Sequence, residues 1–199
     1  MVTLHREYLY NDLIKLFENP DVVEYFPFKV SFKGEMGVDT GGLSREAFFT
    51  FWEDVYTKHC DGACLVTPIV CAGLNSHHLK ILGRIISYGY ISCGFLPVRI
   101  GFPTLAAILV QSFSDVSADI LLRTFKNSLT PVDLSTVNEA LSCKTTYPPY
   151  LSSKLIDLFS RYDCLEVPKP GNILRLCQHI CQYLFIDKPF LAIIRNFER

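Results

Sequence analysis

Gly34-Glu35-Met36-Gly37-Val38-Asp39-Thr40-Gly41-Gly42-Leu43-Ser44-Arg45-Glu46 lies between two segments of different hydrophobic period. Before it, Phe28, Val30 and Phe32 alternate with Lys29, Ser31 and Lys33, the pattern of a strand with one buried face. After it, Phe48, Phe49, Trp52, Val55 and Tyr56 follow helical spacing. A strand, a glycine-rich turn and a helix start can form an anion site. The spacing here matches neither the Walker loop nor the dinucleotide fingerprint, and Glu35 and Asp39 would repel a phosphate. The stretch is therefore read as a structural turn. Gly41 and Gly42 are expected to supply positive φ angles. Asp39 or Glu35 is expected to accept backbone N–H groups near the helix start, with Arg45 paired to one of them.

Working outward, helical periodicity dominates. Leu9, Leu13, Leu16 and Phe17 share a face, and Asn19-Pro20 ends that helix. Leu79, Leu82, Ile86, Tyr90 and Cys93 predict a second buried face, and Gly83 and Gly89 inside it point either to close helix packing or to a break in the helix. Pro97 and Pro103 bracket a connection into a helix over 105–111. Ser117 and Thr130 are N-cap candidates, each with a staple pair: Val116 with Leu121, and Leu129 with Leu134. Pro131 then stands at the first helical position. Leu151, Leu155, Leu158 and Phe159 make another stripe, as do Ile173, Cys177, Ile180, Cys181 and Leu184. The expected fold class is mainly α, or α+β with a short N-terminal strand or hairpin. Residues 1–199 read as one domain, with a loose subdivision near 143–149 where Tyr147-Pro148-Pro149 breaks the chain.

Composition narrows the function classes. Of 199 residues, 49% are apolar and 20% charged, against a usual charged share of about 25%. The chain is too apolar to be disordered, and the surplus predicts apolar surface along the C-terminal helices that a partner would cover. Lys and Arg number 19 against 20 Asp and Glu, and no two basic residues are adjacent, so no nucleic-acid partner is expected. The most apolar stretch, 79–113, is interrupted by Lys80, Arg84, Pro97, Arg99 and Pro103, so no membrane span is expected. The N-terminus carries His5, Arg6, Glu7, Asp12 and Lys15 where a secretory signal needs an apolar run. A cytoplasmic or nuclear address follows, with the eight cysteines as reduced thiols.

Chemistry-bearing clusters are few. His59, Cys60, Cys64, Cys71, His77 and His78 lack the paired short knuckles of a zinc site, so no metal and no cofactor is expected. In Cys177-Gln178-His179-Ile180-Cys181 the histidine points about 200° away from Cys177 on a regular helix, which leaves the thiols as core. No nucleophile elbow, zincin or Walker motif occurs.

The stretch from Val30 to Phe49 resembles the start of HECT-type ubiquitin ligase domains. That family opens with a strand, then Gly-Glu-x-Gly-x-Asp-x-Gly-Gly, a basic residue, Glu and a Phe pair. Here those positions are Gly34, Glu35, Gly37, Asp39, Gly41, Gly42, Arg45, Glu46, Phe48 and Phe49, with Ala47 where another aromatic often lies. Leu82-Gly83-Arg84-Ile85-Ile86 through Gly94-Phe95-Leu96-Pro97-Val98 is similar to the family's glycine-containing helix and the turn after it. The resemblance implies the N-lobe of a two-lobed transferase, which would dock a ubiquitin-conjugating enzyme. A C-terminal lobe would carry the cysteine that accepts ubiquitin as a thioester. In the family that cysteine follows a threonine on an α/β lobe. Cys143 lies in Leu-Ser-Cys-Lys and Cys164 precedes Leu-Glu-Val, so no catalytic residue is assigned. Residues 1–199 are expected to stop before the catalytic lobe. Two functions follow: a part in ubiquitin transfer within a longer parent, or a non-enzymatic interaction scaffold derived from the lobe.

Overall fold

The i, i+4, i+8 spacing of Leu9, Leu13 and Phe17 becomes helix α1 (Leu9–Glu18), with all three side chains buried, in a computed structural model that describes residues 1–24, 28–69, 76–110 and 116–189. Strand β1 (Val2–Leu4) precedes it, and strand β2 (Val30–Phe32) pairs with β1 in parallel, Val2 opposite Val30 and Leu4 opposite Phe32. Phe28, Ser31 and their neighbours were expected in a lone strand or a hairpin. The pair is instead parallel, because α1 carries the chain back across the sheet. A true antiparallel pair occurs later, β3 (Cys60–Asp61) with β4 (Thr67–Pro68).

Helix α2 (Gly42–His59) buries Phe48, Phe51, Trp52, Val55 and Tyr56. Helix α3 (Ser76–Cys93) runs unbroken through both glycines. A Cβ at Gly83 would lie 3.4 Å from Ile108, and one at Gly89 would lie 3.2 Å from the Phe48 ring, so each glycine admits a neighbour. The expected face of α3 holds at Leu79, Leu82 and Ile86 but not at Tyr90, which is 58% exposed. Tyr88 is buried in its place, stacked on Phe28 at 4.6 Å, and its hydroxyl accepts the Phe28 N–H at 2.7 Å.

Helix α4 (Phe102–Val110) leads to α5 (Ala118–Ser128), α6 (Pro131–Ser142), α7 (Pro149–Ser160) and α8 (Ile173–Gln182). The caps are those the sequence predicts. Ser117 accepts the Ile120 N–H at 3.4 Å, and Thr130 accepts the Asp133 N–H at 3.3 Å while its hydroxyl donates to the Asp133 carboxylate at 2.8 Å. After α8 the chain widens into a π-helical turn, Tyr183–Asp187.

Two buried clusters result. One runs from Leu4 to Ile108, the other from Leu121 to Ile186. Ile108 belongs to the first cluster, and Val116 packs against the second. The helices on either side of 143–149 share one core, because Tyr147 is itself buried there and its hydroxyl donates to the Ala140 carbonyl at 3.3 Å. The two clusters are joined where the Thr104 hydroxyl donates to the Phe185 carbonyl at 2.6 Å. The fold is mainly helical with short strands. No described helix is long and apolar enough to cross a membrane.

Candidate functional site

The strand–turn–helix stretch places an acid at its centre. Asp39, 6% exposed, accepts the Val30 N–H at 2.8 Å, the Gly41 N–H at 2.8 Å and the Ser44 N–H at 3.4 Å. The Ser44 hydroxyl donates to it as well. One carboxylate therefore ties β2, the turn and the first turn of α2 together. Burial pushes its pKa up, but the Ser44 hydroxyl and the three amides outweigh this and hold it down at about 2. Gly41 takes φ 103 at the start of α2, a conformation that side-chain-bearing residues rarely adopt. Gly42 is the first helical residue and has no such φ. The second positive φ of the turn is at Gly34, 82°, where the chain leaves β2. Gly37 packs on Leu43, with a Cβ there 3.4 Å away.

Arg45 does not pair with Asp39 or Glu35. Its guanidinium reaches the other way, donating to the Cys93 carbonyl at 3.0 and 3.3 Å at the end of α3. Position 45 faces α3 rather than the turn, so Arg45 caps a helix C-terminus that would otherwise leave carbonyls unpaired. Glu35 instead pairs with Arg6, whose Nη1 also donates to Glu46 at 2.6 Å while its guanidinium lies 3.9 Å over the Phe32 ring. Hydrogen bonds to Glu35 and then Glu46 raise the Arg6 pKa, and the bond from Arg6 lowers that of Glu35. These groups are exposed, so the cluster orders the N-terminal segment more than it stabilises the fold.

The Phe pair separates. Phe48 is 1% exposed beside Tyr88 and Phe95, whereas Phe49 is 57% exposed. From the second motif, Gly83 admits Ile108, and Arg84 donates to the carbonyls of Phe17 and Glu18 at 2.9 and 3.0 Å, closing the C-terminus of α1. At the matched positions Glu35, Asp39, Arg45, Glu46, Phe48 and Arg84 are thus engaged with the chain's own backbone, packing or ions, whereas Phe49 faces solvent. Asp39 has no oxygen free to act as a base on a substrate.

The thiols divide by setting. Burial pushes Cys60, Cys177 and Cys181 up to about 12, which removes thiolate at neutral pH. Cys64 is exposed, with its thiol directed at the Leu129 carbonyl at 3.4 Å. Cys143 and Cys164 sit in turns, their sulfurs 3.8 and 3.9 Å from the carbonyls of Thr145 and Glu166. His59 stacks on Tyr10 at 5.1 Å, and Cys71 lies outside the described residues. Among the described residues no three His, Cys, Asp or Glu side chains converge as a metal site would require.

No family model and no curated protein matches this chain significantly. Its own geometry therefore carries the functional argument. Sequence reasoning missed Ser44, whose amide and hydroxyl both donate to Asp39 from the first turn of α2. It also missed Arg6, 29 residues from Glu35, for which no local signal exists. Exposed large apolar side chains are not confined to the C-terminal helices. Val132, Tyr150 and Leu165 lie in the second half, while Met36, Val38, Ile91, Val98 and Phe102 extend the set to the turn and the end of α3.

Proposed function

We propose that this chain is a HECT-like N-lobe that takes part in ubiquitin transfer by holding a partner while the thioester is carried elsewhere. The partner is a ubiquitin-conjugating enzyme or a catalytic lobe. The observation that supports this reading is the Asp39 clamp. The residues that resemble the family's opening motif, Gly34, Asp39 and Gly41 above all, each have a specific backbone role in one strand–turn–helix unit. A motif built this way is a rigid support, and partner contact falls to what it leaves outside, including Met36, Val38 and Phe49.

The second reading, a non-enzymatic interaction scaffold, is favoured by the thiols. Cys60, Cys177 and Cys181 are pushed to about 12 by burial, and none of the others follows a threonine. Both readings expect the chain to accept no ubiquitin. Incubated with activating enzyme, a panel of conjugating enzymes and ubiquitin, it should give no reductant-sensitive adduct on a non-reducing gel. An adduct lost when Cys64, Cys143 or Cys164 is replaced by alanine would contradict both.

A further inference from the structure

Phe185, a member of the second buried cluster, is held by the segment 100–108, whose Ile100 and Ile108 belong to the first. Pro189 stands four residues after Phe185 and has no N–H, so the Phe185 carbonyl lacks its usual helical partner. The chain widens there into the π-helical turn, in which the Lys188 N–H returns to the Tyr183 carbonyl. The Phe185 carbonyl accepts the Thr104 hydroxyl of α4 at 2.6 Å instead, and Thr104 is fully buried. The Phe185 ring lies against Gly101, just ahead of α4, where a Cβ would stand 2.4 Å from it. A hydroxyl on a spare carbonyl and a ring on a glycine thus fix one side of the molecule to the other.

Around this point the seam between the two clusters is thinly made. Asp61 and Lys188 face each other across it at 4.0 Å, beyond a direct hydrogen bond. An open cleft of about 330 Å³ runs along it between the β3–β4 hairpin and the π-helical turn. The Thr67 hydroxyl is buried beside that cleft and finds no partner among the described residues, a defect of surfaces that meet without full complementarity. Each cluster, by contrast, is filled by large side chains of its own, Trp52 and Phe51 in one, Phe125 and Phe159 in the other. Units that have their own cores and share a small, partly polar interface move relative to each other as a rule. Parting such a seam takes less free energy than unfolding either core.

We infer that the Phe185 turn is a latch between the two cores, and that the chain opens reversibly to an arrangement in which both cores stay folded while the ring leaves Gly101. A partner that bound the freed ring would hold the open arrangement. Backbone hydrogen exchange of the full chain, read by NMR over a series of low urea concentrations, tests this. The Gly101 N–H donates to the Val66 carbonyl at 3.2 Å beneath the ring. It should exchange through an opening of lower free energy and smaller urea dependence than the amides of Trp52 and Leu155, which sit inside the two cores. Thr104→Val removes the hydroxyl and keeps the shape, and should speed exchange at Gly101 about tenfold. Thr104→Ser, which restores a hydroxyl, should return most of the protection. A Gly101 amide that exchanges with the same free energy and urea dependence as Trp52 and Leu155 would overturn the latch. So would a wild-type rate at Gly101 in Thr104→Val.

Discussion

Asp39→Ala is expected to lower the unfolding free energy by about 3 kcal/mol, because it strands three amide donors and the Ser44 hydroxyl that one buried carboxylate satisfies. The loss should depend on pH. The Asp39 pKa in the folded chain is about 2 against an ordinary 3.8, so its stabilisation is fully present above 3.8 and disappears as the pH falls towards 2. A depression of that size corresponds to roughly 2 kcal/mol. In urea melts the gap between wild type and Asp39→Ala should therefore be widest near neutrality and narrow across that acid window. Arg45→Ala should add to Asp39→Ala without coupling, since Arg45 bonds to Cys93 and not to the carboxylate. A pH-independent gap would remove Asp39 from the centre of the turn.

Phe48→Ala should cost about 4 kcal/mol, while Phe49→Ala should stay within about 0.5 kcal/mol. Adjacent residues of one type make the contrast a clean one. Phe48 fills the space between Tyr88, Phe95 and the Gly89 backbone, and its removal leaves a cavity that α3 cannot close without breaking its packing on α2. Phe49 already faces solvent. Equal losses in denaturant melts would mean that α2 is rotated about its axis relative to this structure.

The helical part of the fold is legible in the sequence wherever the signal is local. Ser117 and Thr130 cap because their partners lie three residues away, and Leu151, Leu155 and Leu158 bury because a single period places them on one face. The acid of the turn is legible for the same reason. What escapes is set by distance along the chain. Arg6 meets Glu35 and Glu46 only because β1 and β2 lie side by side, and a three-residue parallel strand has too few positions to show a period. Arg45 is misread because two acids stand close to it in sequence, while the carbonyl it holds is 48 residues away. The split of the Phe pair depends on which face of α2 meets α3, and in a helix with Phe48, Phe49, Phe51 and Trp52 the apolar residues point nearly all round.

Equilibrium binding to a panel of ubiquitin-conjugating enzymes and isolated HECT catalytic lobes tests a HECT-like N-lobe most directly. Transient docking surfaces of this kind are small, so saturable binding in the micromolar range is the predicted result. It should come from at least one member of the panel and persist in Cys64→Ala. No saturable binding by any conjugating enzyme or catalytic lobe, from a chain that still melts cooperatively, would contradict it.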